Sequence, residues 1–583
     1  MKSVSIVCVL LALVVLLVSA CTARTTARQA AVKPTSTPSN GVYGYALSTT
    51  GDRKAALNSS IDAGGTNVEG LKKVTTSDPA PNDRDLGPGA NGEKLGNPLR
   101  GQGEEAVDPS TGERYAQVVD NAFVRTGERG GDASTFGLDV DSASYANCRR
   151  YLRELKQLPP AGAVRIEELV NTLPYAYPAP AAGDSVPFRS STAVAVCPWA
   201  PEHRLVRVAL RARSIERNAR PPLNLVFLVD TSGSMSDANK LPLVQTALLL
   251  LAEQMGERDH LAIVTYAGNA GTLLPATAGS DQPRIRAAIR SLRANGSTNG
   301  AGGITAAYAE AHNGATPGAI SRVMLCTDGD FNVGLTGRDD LQSLVERERA
   351  GGTCLNVYGF GMGNYKDDTL ETLADHGNGV YGYIDREDEA RRLFDREVMG
   401  QLVTVAKDAK VQVFFNPAAV AAWRLLGYEN RVLRREDFND DRIDAGDIGS
   451  GHTVTALYEI IPAGGAVPAA GPASDENPFL APDAATADPT TLLRLRLRWK
   501  DPGATDSRLM EHDVAGAIGE MDADFRTAAA AAGFGMLLRH SPWLGSCNWN
   551  MVKQLAEAGA TSDPGGQRHE FTALIAQARG LTP

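Results

Sequence analysis

Between residues 222 and 402 the chain alternates short apolar runs with longer stretches in which apolar residues recur at every third or fourth position. The runs fall at 224–230, 260–266, 272–277, 320–326, 354–361 and 379–384, and the longer stretches at about 240–256, 282–293, 302–313, 338–350, 366–375 and 386–402. Short, nearly continuous apolar runs suit strands buried on both faces, and the helical stretches between them suit the crossovers that parallel strands require. The pattern predicts an α/β fold: a doubly wound, mostly parallel sheet with helices on both faces. In the first helix Leu241, Val244, Ala247, Leu248, Leu251, Ala252 and Met255 share one face, which is expected to pack on the sheet.

On both sides of this unit the apolar period shortens to two. Residues 188–196 and 205–212 before it, and 411–416, 420–426, 452–461 and 492–499 after it, read as antiparallel strands; leucines and arginines alternate from Leu493 to Trp499. The ends of the α/β unit should emerge close together. Residues 188–212 are therefore expected to join the later strands in one sandwich, with the α/β unit inserted. Helical stretches are read at 145–155, 164–171, 519–539, 548–558 and 566–579, and 462–491 is an Ala/Pro/Gly-rich loop. The expected organisation is an amino-terminal flanking region 121–221, the α/β domain 222–402, a β-rich region 403–510 and carboxy-terminal helices 511–583.

The amino terminus differs in kind. Lys2, an apolar run over 6–18 and the small residues Ser19 and Ala20 before Cys21 describe a signal peptide, residues 1–20. Residues 21–120 are rich in Thr, Ser, Ala, Gly, Pro, Asn and Asp. They hold too little apolar surface to offset ordering entropy and are expected to form a disordered tether, with a reach on the order of 50 Å. No later run reaches the roughly 18 apolar residues of a membrane-spanning helix. The 583-residue chain carries a formal charge of -10 without a basic block, which argues against nucleic acid as partner. Beyond Cys8 and Cys21, the cysteines are Cys148, Cys197, Cys326, Cys354 and Cys547. Their spacing fits no zinc site and their odd number no disulfide framework, so Cys326 and Cys354 read as core residues and a Cys148–Cys197 bridge is not expected.

The candidate chemistry sits where the first apolar run ends. Asp230, Ser232 and Ser234 follow the strand 224–230 on the loop at its carboxyl end, where open α/β sheets bind their ligands. Together with Thr298 in Gly296-Ser-Thr-Asn-Gly300 and Asp328 in Cys326-Thr-Asp-Gly329, this arrangement resembles the von Willebrand factor A domain and its metal-ion-dependent adhesion site, over about 222–402. The resemblance implies that Ser232, Ser234 and Thr298 ligate a divalent cation directly and that Asp230 and Asp328 complete the shell. Hydroxyls, carboxylates and retained water suit Mg2+, with Mn2+ or Ca2+ as alternatives. It also implies an open coordination position, filled by an acidic side chain of a partner protein. Asn299 and Asp330 lie nearby as loop caps or as groups that orient the ligands.

Further likenesses concern the surroundings. Val18-Ser-Ala-Cys21 resembles the bacterial lipobox, which implies that Cys21 becomes a lipid-modified amino terminus held at a membrane of the bacterial cell envelope. Thr22, in place of Asp, favours the outer membrane, facing the periplasm, over the inner. The flanking stretches around Ser134-Thr-Phe136, Arg165-Ile-Glu-Glu168, Gly427-Tyr-Glu-Asn-Arg431 and Gly451-His-Thr-Val454 resemble a family of bacterial envelope lipoproteins with one A domain between two dedicated flanking regions. The function so implied is an envelope-anchored, metal-dependent protein-binding module, not an enzyme. The alternatives are a structural envelope factor whose ion only orders loops, and a metal-assisted hydrolase. The last has little support: no base is sequence-linked to the site, and Gly233-Ser234-Met235 is no nucleophile elbow.

Two other acidic stretches read as structural. Asp139-Val-Asp141 lacks the partner motifs of a phosphatase and is expected to serve turns and caps. The cluster Asp437, Asn439, Asp440, Asp441, Asp444 and Asp447 has Arg442 and Ile448 where a calcium loop needs Gly and Glu, so a solvated turn is expected.

Overall fold

The computed structural model describes residues 106–107, 114–115, 118–127, 133–138, 141–181, 183–296, 300–329, 338–361, 367–441, 445–468, 490–563 and 565–582. In chain order, β1 (Ala133–Gly137), α1 (Ala143–Arg150), α2 (Ile166–Thr172), β2 (Phe188–Cys197) and β3 (Ala200–Ala212) come first. The α/β unit follows as β4 (Leu223–Asp230), α3 (Leu241–Ala252), β5 (His260–Tyr266), β6 (Ala270–Ala278), α4 (Gln282–Ser291), α5 (Gly300–Asn313), β7 (Ile320–Thr327), α6 (Arg338–Ala350), β8 (Thr353–Phe360), α7 (Asp367–His376), β9 (Tyr381–Ile384), α8 (Glu387–Arg391) and α9 (Val398–Leu402). The remainder is β10 (Thr404–Phe415), β11 (Val420–Leu426), β12 (Thr453–Pro462), β13 (Thr491–Lys500), β14 (Ser507–Ala515), α10 (Ala523–Leu538), α11 (Trp549–Gly559) and α12 (Gln567–Leu581).

The central sheet has the order β9-β8-β7-β4-β5-β6, parallel throughout except that β6 runs antiparallel to β5. Every residue of β4 is buried, because its side chains part to two apolar cores. Leu225, Phe227 and Val229 meet α3, α4 and the turn between α8 and α9 through Val244, Leu248, Ile285 and Phe394. Val226 and Leu228 meet α5, α6 and α7 through Ile304, Tyr308, Val345 and Leu370. This is the doubly wound arrangement the apolar runs predict. The helix expected over 386–402 is interrupted by a wider, π-helical turn, Arg392–Arg396, beside which Arg392 bonds Glu389 and Glu397. At the open edge of the sheet, the Tyr381 amide donates to Asp141 at 2.9 Å and α1 packs alongside, so β9 is covered.

The strands on either side of the inserted unit belong to the same sandwich. β3 pairs antiparallel with β12 from Arg204↔Ile460 to Arg211↔Thr453, in a sheet completed by β2, β11 and the short strand Val124–Arg125. The opposing sheet holds β10, β13 and β14, with β1 paired to β10. Leu493, Leu495, Leu497 and Trp499 of β13 face Val206, Val208, Ala456 and Tyr458 across a shared core, while the alternating arginines point away. The outer face of the β2–β3–β12–β11 sheet is covered by α1, α2 and the three carboxy-terminal helices. The alanine-rich α10 lies close to α2: a Cβ at Gly535 would come within 2.8 Å of Ile166 Cγ1.

Several expectations change. The stretch 21–120 is not a tether to its end: Tyr115 is fully buried against Tyr151 and Ala163, Asp120 pairs with Arg539, and Ala106–Val107 pairs with Arg114–Tyr115. Tyr115 is enough to anchor this end because its pocket is built by residues outside the stretch. Strand β14 was not expected; it runs to Ala515, past the boundary expected at 510, and only Val514 of its residues is buried. Cys148, Cys197, Cys326, Cys354 and Cys547 are all free thiols, with Cys354 half-buried. Among the described residues no helix is long and apolar enough to cross a membrane. The signal peptide 1–20, Cys21, the tether up to 105, Asp139, Thr298, Asn299, Asp330, Asp444 and loop residues 469–489 lie outside the described residues.

Candidate metal centre

Asp230 is the last residue of β4 and is completely buried. Its neighbour in the sheet, β7, ends at Thr327 in register, so Asp328 emerges beside it. The Ser232 amide donates to Asp230 Oδ1 at 2.9 Å, and the Thr327 hydroxyl to Oδ2 at 3.3 Å. The loop is pinned from its other side as well: the Thr231 amide bonds Tyr266 O at 2.9 Å, the Asn295 amide bonds Thr231 O at 2.7 Å, and the Gly233 amide bonds Gly296 O at 3.0 Å. These bonds hold the segment that leads into Thr298 against the Asp230 loop.

Ser232 is buried and Ser234 exposed, with their hydroxyl oxygens 3.0 Å apart. That separation is the edge of an octahedron whose metal–oxygen bonds are about 2.1 Å, which is about 3.0 Å. The donors are hard oxygens throughout. Burial pushes the Asp230 carboxyl up, and the charge of Asp328 pushes it further; the Ser232 amide and hydroxyl and the Tyr266 hydroxyl pull it back. Two carboxylates crowded at the end of a buried sheet favour a cation between them. The residues present therefore fit a magnesium-type ion.

Of the predicted site residues, Asp230, Ser232, Ser234 and Asp328 are brought together by the described chain. Three neighbours were not anticipated. Thr327 and Tyr266 end their strands beside Asp230, which only the register Asp230↔Tyr266 and Cys326↔Val229 reveals. Lys240 is buried, with Nζ 3.0 Å from Asp328 Oδ2. No motif marks it.

The other acidic groups resolve differently. Asp141 is no turn carboxylate: it is buried and accepts from the Tyr381 amide and from Arg431 at 2.7 Å. Its ligand atoms lie within 4.8 Å of those of Glu168 and Glu371, but Arg165 contacts both of these, at 3.2 and 2.7 Å. In the 437–441 turn, Lys410 Nζ donates to the carbonyls of Asp437 and Asp440 at 2.9 and 2.6 Å, and Arg498 bonds Asp441 at 3.1 Å. A lysine and an arginine of the sheet tie this turn down, so it is less solvated than expected.

The family descriptions that match the chain agree with this architecture. The family description "von Willebrand factor type A domain" matches residues 224–396, "von Willebrand factor" matches 109–207, and "Uncharacterized protein YfbK, C-terminal" matches 400–581. The chain is similar to the uncharacterized protein YfbK of Escherichia coli strain K12, 41% identical over 484 residues, covering 82% of each chain. It is also similar to human inter-alpha-trypsin inhibitor heavy chain H3, 31% identical over 195 residues, covering 31% of this chain and 22% of that one. A solved structure, the von Willebrand factor type A protein from Catenulispora acidiphila, aligns at 16% identity and a TM-score of 0.36, over 67% of this chain and 96% of that one. The chain belongs to the family of the Escherichia coli protein YfbK, with a von Willebrand factor type A domain inserted between its flanking regions.

Proposed function

We propose that this protein is a divalent-metal-dependent protein-binding module, anchored to the bacterial envelope through Cys21, that captures an acidic side chain of a partner. The observation that carries the reading is the pair of hydroxyls, Ser232 and Ser234, 3.0 Å apart beside Asp230 and Asp328. Asp230, Ser232, Ser234, Thr298 and Asp328 would hold the ion, most simply Mg2+. When bound, such an ion supplies a positive centre for a carboxylate of the partner. The protein's own part is to orient the hydroxyls through the Ser232 and Gly233 backbone bonds and to keep Asp230 out of water. The outer membrane, facing the periplasm, is the proposed location, with the lipid on Cys21 as the anchor.

The test is crosslinking in intact envelopes, with and without a chelator, for the parent protein and for Asp230→Ala. The expected result is one crosslinked species that disappears with the chelator and in Asp230→Ala while the variant stays folded. A crosslinked species indifferent to both would leave the ion a loop-ordering role and refute the capture reading. Labelling with a radioactive fatty acid, abolished in Cys21→Ser, tests the anchor.

A further inference from the structure

The side chain of Lys240 enters the metal centre from the start of α3, six residues after Ser234. Its ammonium lies 3.0 Å from Asp328 Oδ2, and the exposed Asp237 approaches it only to 4.0 Å. Its aliphatic stem runs over Gly361, whose φ of 81° favours glycine; a Cβ there would fall 2.3 Å from Lys240 Cγ. The backbone is thus shaped around the lysine stem. The placement is otherwise unfavourable twice over. An ammonium removed from water needs a partner to offset its lost hydration, and a cation at the amino end of a helix opposes the helix dipole. Asp328, itself 3% exposed, is the group that offsets both.

We propose that Lys240 is a built-in counter-cation of the metal centre: it competes with the divalent ion for Asp328, keeps the ion-free site ordered, and sets the site to weak, reversible metal binding. The proposal rests on the metal-binding reading above. With Lys240 in place, Asp328 already has a counter-charge when an ion arrives. The ion must either displace the ammonium or bind beside it, and both weaken its hold. In the ion-free protein the same contact relieves the repulsion between Asp328 and Asp230. Lys240 therefore lowers the difference between the filled and empty site, which suits a centre meant to bind a partner and let it go.

The test is Mn2+ titration by calorimetry, with thermal melting in EDTA, on full-length parent protein, Lys240→Met and Lys240→Arg. Methionine fills the channel beside Gly361 without charge, and arginine keeps the charge. The proposal expects Lys240→Met to bind Mn2+ about tenfold more tightly or better, to melt lower than the parent in EDTA, and to recover on adding Mg2+. Lys240→Arg should bind no more tightly than the parent. If the parent binds Mn2+ and a folded Lys240→Met binds it equally or less well, the lysine inference fails while the metal reading stands. If neither binds Mn2+ at millimolar concentration, both fail.

Discussion

Replacing Arg149 by methionine should loosen all three parts of the molecule at once. Its guanidinium, on α1, bonds Asp385 at 2.8 Å and Glu389 at 2.8 Å in the A domain, and Glu570 at 3.4 Å on α12. The side chains of Arg149, Asp385 and Glu389 are each at most 3% exposed. Burial alone would push the Glu389 carboxyl up, yet Arg392 first and Arg149 second hold it down to about 2, against an ordinary 4.5. That depression corresponds to on the order of 3 kcal/mol, shared between the two arginines. Arg149→Met forfeits its part and leaves Asp385 buried without its Arg149 partner, so the total loss is expected at about 3–5 kcal/mol. The sign with pH follows. Glu389 contributes its stabilisation in full above its ordinary value and loses it as pH falls toward 2. The gap between variant and parent is therefore widest near neutrality and narrows in acid. The assay is urea unfolding followed by the fluorescence of the five tryptophans, Trp199, Trp423, Trp499, Trp543 and Trp549, all outside the A domain. Hydrogen exchange on α1 and α12 reports local undocking. Arg149→Lys, which keeps the charge but not the fork, should fall between. A variant within about 1 kcal/mol of the parent at pH 7 would refute the reasoning.

Two further changes separate buried from exposed chemistry. Glu459 is 2% exposed and accepts from Trp199 at 2.9 Å and Arg424 at 2.6 Å, with His203 at 2.6 Å on its other oxygen. Glu459→Gln strands Arg424 as a buried cation and should cost about 3–5 kcal/mol in urea melts, whereas Arg494→Ala, which breaks a partly exposed pair with Asp513, should cost under about 1 kcal/mol. Gly449→Ala places a Cβ 1.4 Å from the Gly400 carbonyl oxygen, a backbone-to-backbone clash at the joint between α9 and β10. It should destabilise by more than about 3 kcal/mol, read as lost soluble yield or a lowered melting temperature; a parent-like melt would contradict the close approach.

What could be read from the chain beforehand follows from where each side chain's partners sit. The A domain was legible because its strands are buried on both faces, so 224–230 and 320–326 stand out as apolar runs without knowledge of their neighbours. Asp230, Ser232 and Ser234 were legible because they fall within five consecutive residues at the end of one apolar run. Lys240 was not, since at the start of a helix it reads as a solvated cation, and only the arrival of Asp328 from β7 explains its burial. Strand β14 was missed for a related reason: as an edge strand it alternates half-buried and exposed residues, with Val514 alone in the core. Asp141 looked like a turn residue because Arg431, its partner, is 290 residues away.

These acidic clusters also give an internal comparison for the metal centre. Asp141, Glu168 and Glu371 meet two guanidiniums, Arg165 and Arg431, in directed bonds of 2.7 to 3.2 Å. The 437–441 turn meets Lys410 and Arg498, and Lys500 Nζ bonds the Asp441 carbonyl at 2.7 Å. In both places the chain supplies at least two cations of its own, bonded directly to the acidic segment. At the carboxyl end of β4 the balance differs. Among the described residues, Asp328 meets the Lys240 ammonium, and Asp230 lies beside two hydroxyls 3.0 Å apart. The two serine hydroxyls and two carboxylates are hard oxygens that a small divalent ion can take together. Arginine answers acid where the fold needs rigidity; at the metal centre the described chain sets one lysine beside hard oxygen donors, the composition that the metal-binding reading expects.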